Sequence, residues 1–346
     1  MSFAREPGSI RRALNLNALP LCFRSWLRME QFNSEKRMSK IQRAFVHWQR
    51  GTLLGRSKQE LLRFRKELRS LHWKFAISRR PYIEKRIRSD VRMRLFPDSR
   101  LCREIYCGVF ELKEQEFLQL FLRPGDVFID VGANIGLFTL IAGRRVTQSG
   151  HVYAFEPYDR SYQRLLVNVE LNKLSNVSCV QLALSDDAAQ LDLNVSLDGY
   201  DAWSSLGLPT VGGVPLKCPV NTVTWDAFAE MHGLVGRVAM MKVDVEGWET
   251  RVLAGGWEML ARGDAPVLQV EFGDEVSRSA GTSCAQLYRA LKDLGYQMFT
   301  YDAASKCLVP EPLRESYYYV NLIATKRPVD TQGRINEGLK TQEAYV

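Results

Sequence analysis

Acidic side chains that follow apolar runs are the residues of this sequence best suited to chemistry. Asp130 lies near the end of the run Val127–Val131, Glu156 follows a second run, and Asp244 and Glu246 follow a third. Each run has the length of a buried strand. Parallel strands place their carboxyl ends at one edge of a sheet, where α/β folds bind ligands. The sequence therefore predicts one cleft lined by carboxylates, which can attract a cation, hold a diol or accept a proton.

The segment 127–136 has the pattern of a strand, a tight glycine turn and the start of a helix. Such a segment opens the nucleotide-binding half of a doubly wound sheet. Its spacing, Gly132-x-Asn134-x-Gly136, differs from the Gly-x-Gly-x-x-Gly pattern of a dinucleotide site. Asp130 would also repel phosphates, whereas a carboxylate at that place suits a ligand with a positive amino group.

The second acid narrows the choice of ligand. Glu156 lies 20 residues after Gly136, the distance at which an acid holds a ribose diol. An adenosine ligand with an amino-acid head and no phosphates is S-adenosyl-L-methionine, and we expect this ligand in the cleft. The alternative is an ordinary α/β turn with acids at the surface.

The next predicted strand end, Ala183–Asp186, carries two polar side chains. Ser185 and Asp186 are placed to read an adenine edge along the ligand cleft. They are equally suited to capping or turn formation, and the sequence does not separate the two roles.

A second motif follows the strand Met240–Val243, where Asp244 and Glu246 precede Gly247 and a short helix. Neighbouring carboxylates in one cleft repel each other, so one of them can titrate high enough to take a proton. The alternative is that these acids cap the following helix. The four histidines are scattered and indicate no metal site, although carboxylates alone do not exclude Mg²⁺.

The remaining elements are predicted from periodicity and turn residues. The chain between 197 and 213 is too long for a simple connection and offers Trp203, Ser204 and Ser205 as substrate contacts, or forms a plain hairpin connection. The other predicted elements are a strand at 102–110, helices at 113–122, 161–172 and 225–230, strands at 176–182, 266–272, 296–301 and 317–325, and a loose polar tail at 327–346.

Charge divides the chain into two parts. Residues 1–100 hold 25 of the 47 Lys and Arg residues and 8 of the 39 Asp and Glu residues, a net charge of +17, and the remainder carries −9. We therefore predict a basic, mainly helical extension at 1–100, a catalytic domain at 101–326 and the tail at 327–346. Basic amphipathic periodicity at 35–95 suits an anionic membrane surface or RNA, or a helical arm that packs on the domain or on a partner.

The expected location is the cytoplasm, or a membrane surface reached from it. No apolar run approaches the ~18 residues of a membrane span. The seven cysteines include no Cys-x-x-Cys pair, which favours a reducing compartment.

With both motifs placed, the chain resembles the FkbM family of S-adenosylmethionine-dependent methyltransferases between about residues 102 and 326. The first motif alone would indicate only a class I methyltransferase. The resemblance implies an α/β fold with a Rossmann-like seven-stranded sheet, helices on both faces and an antiparallel last hairpin. The matching pieces are Pro124–Asp126, Asp130–Gly136, Glu156–Pro157, Ala183–Asp186, Lys242–Gly247 with Glu249, and Glu271-Phe272.

The resemblance also implies roles for residues of this chain. Asp130, Gly132, Asn134 and Gly136 take the places around the methionine part of the donor, Glu156 the ribose place, and Ser185 with Asp186 the adenine place. The implied reaction is methyl transfer to a hydroxyl of a sugar, polyketide or similar metabolite. Asp244 and Glu246 fall where donor and acceptor meet.

For the proton of the acceptor hydroxyl, the preferred general base is Asp244, then Glu246, with Glu111 third. The acceptor itself is not implied by the resemblance, and a small molecule or glycan is expected. Two other functions stay open. One is an RNA or protein methyltransferase recruited by the basic extension, and the other is a non-catalytic adaptor that keeps the donor pocket for folding.

Overall fold

The computed structural model describes residues 58–78, 80–195, 205–207 and 216–343. From Lys66 onward the chain forms one compact unit, whereas the sequence placed a domain boundary at residue 100. None of the helices in these ranges is long and apolar enough to cross a bilayer.

The strands of the described residues are β1 (Ile83–Arg86), β2 (Arg92–Leu95), β3 (Val127–Val131), β4 (His151–Phe155), β5 (Val177–Val180), β6 (Ala183–Leu184), β7 (Gln190–Val195), β8 (Leu216–Val223), β9 (Val238–Val243), β10 (Val267–Phe272), β11 (Gln297–Asp302), β12 (Cys307–Pro310) and β13 (Val320–Thr325).

The helices of the same residues are α1 (Lys58–Ile77), α2 (Arg100–Cys107), α3 (Leu112–Phe121), α4 (Leu137–Val146), α5 (Asp159–Leu171), α6 (Trp225–Met231), α7 (Glu249–Ala254), α8 (Trp257–Ala261), α9 (Asp274–Ser279), α10 (Cys284–Asp293) and α11 (Pro328–Glu343).

The main sheet has the strand order β12-β11-β13-β10-β9-β3-β4-β5. The five strands from β10 to β5 run parallel, and β13 is antiparallel to both of its neighbours. This is the expected class I methyltransferase architecture, but with eight strands instead of seven. The additional strand, β12, lies at the edge and ends at Pro310, where a missing N–H is tolerated.

Apolar side chains on both sides of β3 explain why helices cover both faces of the sheet. Phe128 packs in one core with Leu140 of α4, and Ile129 packs in the opposite core with Leu268 of β10. A strand buried on both faces needs a near-continuous apolar run, as this one has. Asp130 interrupts that run only at its carboxyl end.

The pairing register of the sheet aligns the carboxyl ends of β3, β9 and β10. Asp130 of β3 pairs with Lys242 of β9, and Lys242 pairs with Gln269 of β10. Two residues beyond that row, Asp244 and Glu271 emerge side by side at the carboxyl edge of the sheet. This register agrees with the predicted convergence of the acids that follow β3 and β9, whereas the acid of β10 was not part of that prediction.

The strand predicted at 102–110 is wrong, because residues 100–107 form helix α2. The side chain of Ser99 caps this helix by accepting from the N–H of Cys102, and Gly108 ends it in a left-handed conformation. Leu101 and Ile105, one turn apart, are both buried. Apolar residues at this spacing form the inner face of a helix.

The loose tail is also wrong for residues 328–343, which form α11 and pack against α3. Ile335 is fully buried, and Gly338 lies so close to α3 that a Cβ would stand 2.2 Å from the carbonyl oxygen of Leu120. The guanidinium of Arg334 lies over the ring of Phe121 at 4.6 Å. These buried contacts offset the polar composition that suggested disorder.

The helical prediction for 35–95 is confirmed for α1 and wrong for 83–95, where β1 and β2 form a hairpin. Residues 35–57 lie outside the described part of the chain. In the long connection predicted around 197–213, Trp203 and Ser204 also lie outside it, whereas Ser205 is buried and bridges to Asn194.

Two asparagines, one in α5 and one at its C-cap, fasten this hairpin to the domain. Asn172 accepts from the N–H of Arg92 at 2.9 Å and donates to its carbonyl at 2.6 Å. Asn168, one turn earlier, accepts from the N–H of Arg94 at 2.7 Å and donates to the carbonyl of Ile135 at 2.9 Å. Both side chains therefore bond to the backbone of β2 as a neighbouring strand would. They hold in place the segment that leads into α2.

We expect Asn172→Ala to lower the free energy of unfolding by about 2 kcal/mol, because the N–H and the carbonyl of Arg92 lose their partners. Urea denaturation followed by far-UV circular dichroism measures this change. Gln163→Ala, on the exposed side of the same helix, should change it by less than ~0.5 kcal/mol. Equal stability of the two variants would contradict the role given to Asn172.

Candidate active site

A cleft of about 440 Å³ lies at the carboxyl ends of β3, β9 and β10. A smaller cavity of about 60 Å³ lies on its far side, between the tips of β3 and β4 and the segment 182–184. The two spaces share the residues Gly132, Asn134, Asp244 and Glu246. The two spaces therefore adjoin each other.

Gly132 brings the tips of β3 and β9 into contact. Its φ is +82°, and a Cβ at this position would stand 1.9 Å from the carbonyl oxygen of Asp244. Only glycine fits there. Gly136, with φ +92°, starts α4 but lines neither space, so its role is to turn the chain.

Asp130 is 1% exposed and lines the larger cleft. Its Oδ2 accepts from the hydroxyl of Thr139 at 2.5 Å, while its Oδ1 has no hydrogen-bond partner within the described residues. Burial raises the pKa of Asp130, and the nearby charge of Lys242 opposes that rise. A cationic ligand in the cleft would satisfy the remaining oxygen.

Glu156 lines the smaller cavity, as the ribose assignment requires. Its two oxygens accept from the backbone N–H groups of Asn134 and Tyr158, each at 2.9 Å. These bonds fix the carboxylate at the mouth of the turn. A carboxylate oxygen can accept more than one hydrogen bond, which is the chemistry that a diol requires.

Ser185 and Asp186 line neither space. The hydroxyl of Ser185 accepts from the indole N–H of Trp248 at 3.0 Å and donates to Asp186 at 2.9 Å. Asp186 in turn pairs with Arg251 at 2.5 Å. The indole of Trp248, which these residues orient, does line the smaller cavity, so the adenine role of Ser185 and Asp186 stays a prediction.

Lys242 was not recognised as a site residue from the sequence. Its side chain is buried, its Nζ lies 2.5 Å from Oδ2 of Asp244, and it also lies over the ring of Phe138 at 4.7 Å. Burial alone would lower the pKa of Lys242, but the carboxylates of Asp244, Glu111 and Asp130 raise it above its usual value. The lysine is therefore a fixed positive charge among the acids.

Glu111 lines the same cleft, directly before α3. Its Oε1 accepts from the hydroxyl of Tyr319 at 2.5 Å and from the amide of Asn321 at 3.3 Å. Burial raises the pKa of Glu111 to about 7, against the opposing charge of Lys242. A carboxylate with this pKa is suited to accept a proton near neutral pH.

Glu246 has a left-handed backbone, with φ +52°, between the tip of β9 and α7. The carboxylate of Glu249 accepts from the N–H groups of Val245 and Gly247 at 3.1 and 3.2 Å and so holds this turn. The hydroxyl of Ser205 donates to the carbonyl of Glu246 at 2.6 Å. Ser205, predicted to contact substrate, is thus found bracing an acid of the cleft.

Glu271 is a second residue whose role the sequence analysis missed. It is 1% exposed at the end of β10, and its Oε2 has no hydrogen-bond partner in the described residues. Burial and the carboxylates of Glu246 and Asp244 raise its pKa well above the usual value. An acid at the end of a buried run, the pattern that identified Asp130, would have revealed it.

Comparison with known proteins agrees with this geometry. Residues 130–298 match the Methyltransferase FkbM domain family. The chain is 28% identical over 163 residues to the hexuronic acid methyltransferase AglP of Haloferax volcanii, covering 46% of this chain and 63% of that protein. It is 30% identical over 163 residues to the 31-O-demethyl-FK506 methyltransferase FkbM of Streptomyces tacrolimicus, covering 39% and 60%.

Among solved structures, a methyltransferase FkbM from Methylobacillus flagellatus is distantly similar, with 12% identity over 65% of this chain and 54% of that chain and a TM-score of 0.36. The chain spans less than two thirds of the length of the curated relatives named above. The family match covers the tips of β3, β4, β9 and β10, where the acids converge. Over residues 130–298, the chain is therefore similar to the FkbM family of methyltransferases.

Proposed function

We propose that this protein transfers a methyl group from S-adenosylmethionine to a hydroxyl group of a sugar or secondary metabolite. The observation that carries the proposal is the pair of adjoining spaces, one beside Glu156 and the other lined by Asp130, Asp244 and Glu111. The first space has an acid placed to bind a ribose, as a nucleoside site requires. The second space is the larger one and would hold the methionine part of the donor and the acceptor.

The residues present fit this donor. Glu156 would accept from the ribose diol, and the unpartnered oxygen of Asp130 would accept from the ammonium group. Gly132 lets the tips of β3 and β9 meet at the junction of the two spaces, where a Cβ would stand 1.9 Å from the carbonyl oxygen of Asp244. The donor supplies an electrophilic methyl group, and the chain must hold an oxygen in line with it. Such positioning can remove ~7–11 kcal/mol from the barrier.

An acceptor hydroxyl must also lose its proton. The sequence favoured Asp244 as the base, but the ammonium of Lys242 donates to its Oδ2 at 2.5 Å and occupies that oxygen. Glu111 faces the same cleft with a buried, unpartnered Oε2. We therefore assign the proton to Glu111 and a positioning role to Asp244.

The acceptor class is supported by the relatives, which include a hexuronic acid methyltransferase and a methyltransferase of 31-O-demethyl-FK506. The cleft volume of about 440 Å³ suits a small ring compound. An anionic partner for the basic extension stays a prediction, since residues 1–57 lie outside the described part of the chain.

Incubation with S-adenosylmethionine labelled in its methyl group tests the proposed reaction directly. We expect label to pass to methyl glycosides of glucuronic or galacturonic acid, or to a macrolide alcohol, and the product ester or ether to be identified by mass spectrometry. An ether is the expected product. Transfer of label only to RNA or protein in the same assay would overturn the acceptor class.

Glu156→Ala should weaken binding of S-adenosylhomocysteine by roughly 10- to 100-fold, because hydrogen bonds to a charged group contribute about 1.5–3 kcal/mol. Isothermal titration calorimetry measures the affinity. Glu170→Ala, an exposed acid on α5, serves as the control and should bind like the wild type. Unchanged affinity in Glu156→Ala would remove the ribose assignment.

Glu111→Gln should lower kcat by about 10²–10⁴-fold and leave donor affinity unchanged. In the wild type, kcat should rise with pH through about 7, because only the ionised form of Glu111 accepts a proton. The groups facing it are Lys242, Asp244, Tyr319 and Glu114. A variant that retained both the rate and the pH profile would exclude Glu111 as the base.

A further inference from the structure

Three carboxylates meet at the edge of the larger cleft. Asp244 and Glu246 follow β9, Glu271 ends β10, and one oxygen of each lies within 4.8 Å of the others. Glu271 is 1% exposed and lines the cleft, and its Oε2 lacks a hydrogen-bond partner in the described residues. A buried oxygen without a donor indicates that a ligand completes this group.

The charges of the cleft point to a cation. Lys242 is the buried positive charge among the described lining residues, and its ammonium is held by Oδ2 of Asp244. Arg100, at the mouth, pairs with Glu104 at 3.3 Å. The charge of Lys242 also acts on Glu246, but its ammonium pairs with Asp244 and not with Glu246 or Glu271. The proposed function places the donor ammonium beside Asp130 and not beside these two acids.

We propose that Asp244, Glu246 and Glu271 bind one divalent cation of the hard, oxygen-preferring class, such as Mg²⁺, Mn²⁺ or Ca²⁺. The set contains only carboxylate oxygens, which are the ligands that these ions prefer. Zinc sites typically contain nitrogen and sulfur ligands, and this set has neither. The ion would sit at the carboxyl ends of β9 and β10, beside the space proposed for the acceptor.

The spacing fits one ion. Two oxygens bound to the same ion at ~2.4 Å, a Ca²⁺ distance, stand at most ~4.8 Å apart, and at ~2.1 Å, a Mg²⁺ distance, at most ~4.2 Å. The separation limit of 4.8 Å for the three carboxylates meets the first value.

The open side of this ion would face the cleft, where water or an acceptor hydroxyl completes its coordination. A cation lowers the pKa of a bound hydroxyl and fixes its orientation, so the ion would assist Glu111 in removing the acceptor proton. This role rests on the proposed methyl transfer, whereas binding of the ion does not.

Titration calorimetry of the full chain, freed of metal with a chelator, tests the site with Mn²⁺ as the probe. We expect one Mn²⁺ per chain, displaced by excess Mg²⁺ or Ca²⁺. Glu271→Gln and Glu246→Gln should each weaken binding at least about tenfold, because affinity follows the number of charged ligands. Glu275→Gln is the matched control, since Glu275 lines the same cleft outside the cluster, and its Mn²⁺ affinity should be unchanged.

The proposal would be overturned if Mn²⁺ did not bind stoichiometrically, or if all three variants bound it with equal affinity. Protons shared between the carboxyl groups would then explain why these acids lie together. Circular dichroism checks folding, and the partly exposed Glu246 keeps the test valid if Glu271→Gln does not fold. Titrating S-adenosylhomocysteine into the same samples separates the two proposals. Donor binding without Mn²⁺ binding contradicts the ion alone, and Mn²⁺ binding without donor binding contradicts the proposed function alone.

Discussion

A buried ammonium group at the end of β9 is the interaction on which the site depends. Lys242 lies within the electrostatic reach of Asp244, Glu111 and Asp130, which come from three different elements. Without this positive charge, the buried carboxylate of Asp130 would face those of Asp244 and Glu111 with no compensating cation, at a large cost in free energy. The same lysine reaches the acids only because β3, β9 and β10 are in register. The pairing of the strands therefore also determines whether the charges of the acids are compensated.

Three of the six non-glycine residues with positive φ in the described part of the chain line the cleft around that lysine. Glu111, Asn134 and Glu246 adopt positive φ values of 41°, 48° and 52° without being glycine, and all three line the cleft. Such conformations cost about 1 kcal/mol or more each and persist where neighbouring contacts over-determine them. The carboxylate of Glu249 and the hydroxyl of Ser205 supply such contacts at Glu246. With these backbone conformations, the side chains of Glu111 and Glu246 line the cleft.

The parallel core and its acids follow from short-range patterns, because apolar runs ending in Asp130 or Asp244 are visible in the sequence. Elements that depend on distant contacts were not predicted. Helix α11 is polar in composition and gains its stability from α3, more than 200 residues earlier in the chain. Helix α2 was mistaken for a strand because its cap and its inner face were not weighed together. Lys242 was overlooked because a lysine inside an apolar run gives no sign of the carboxylates that surround it in space.

The contact between Gly132 and the carbonyl of Asp244 restricts how this protein can diverge. A single methyl group at position 132 would force β3 and β9 apart, and the acids that these strands present would separate with them. Substitution of Gly132 is therefore not tolerated, although this residue has no side chain with which to contact a ligand. Diversification of the fold toward new acceptors must instead proceed through the loops and helices that form the outer wall of the cleft.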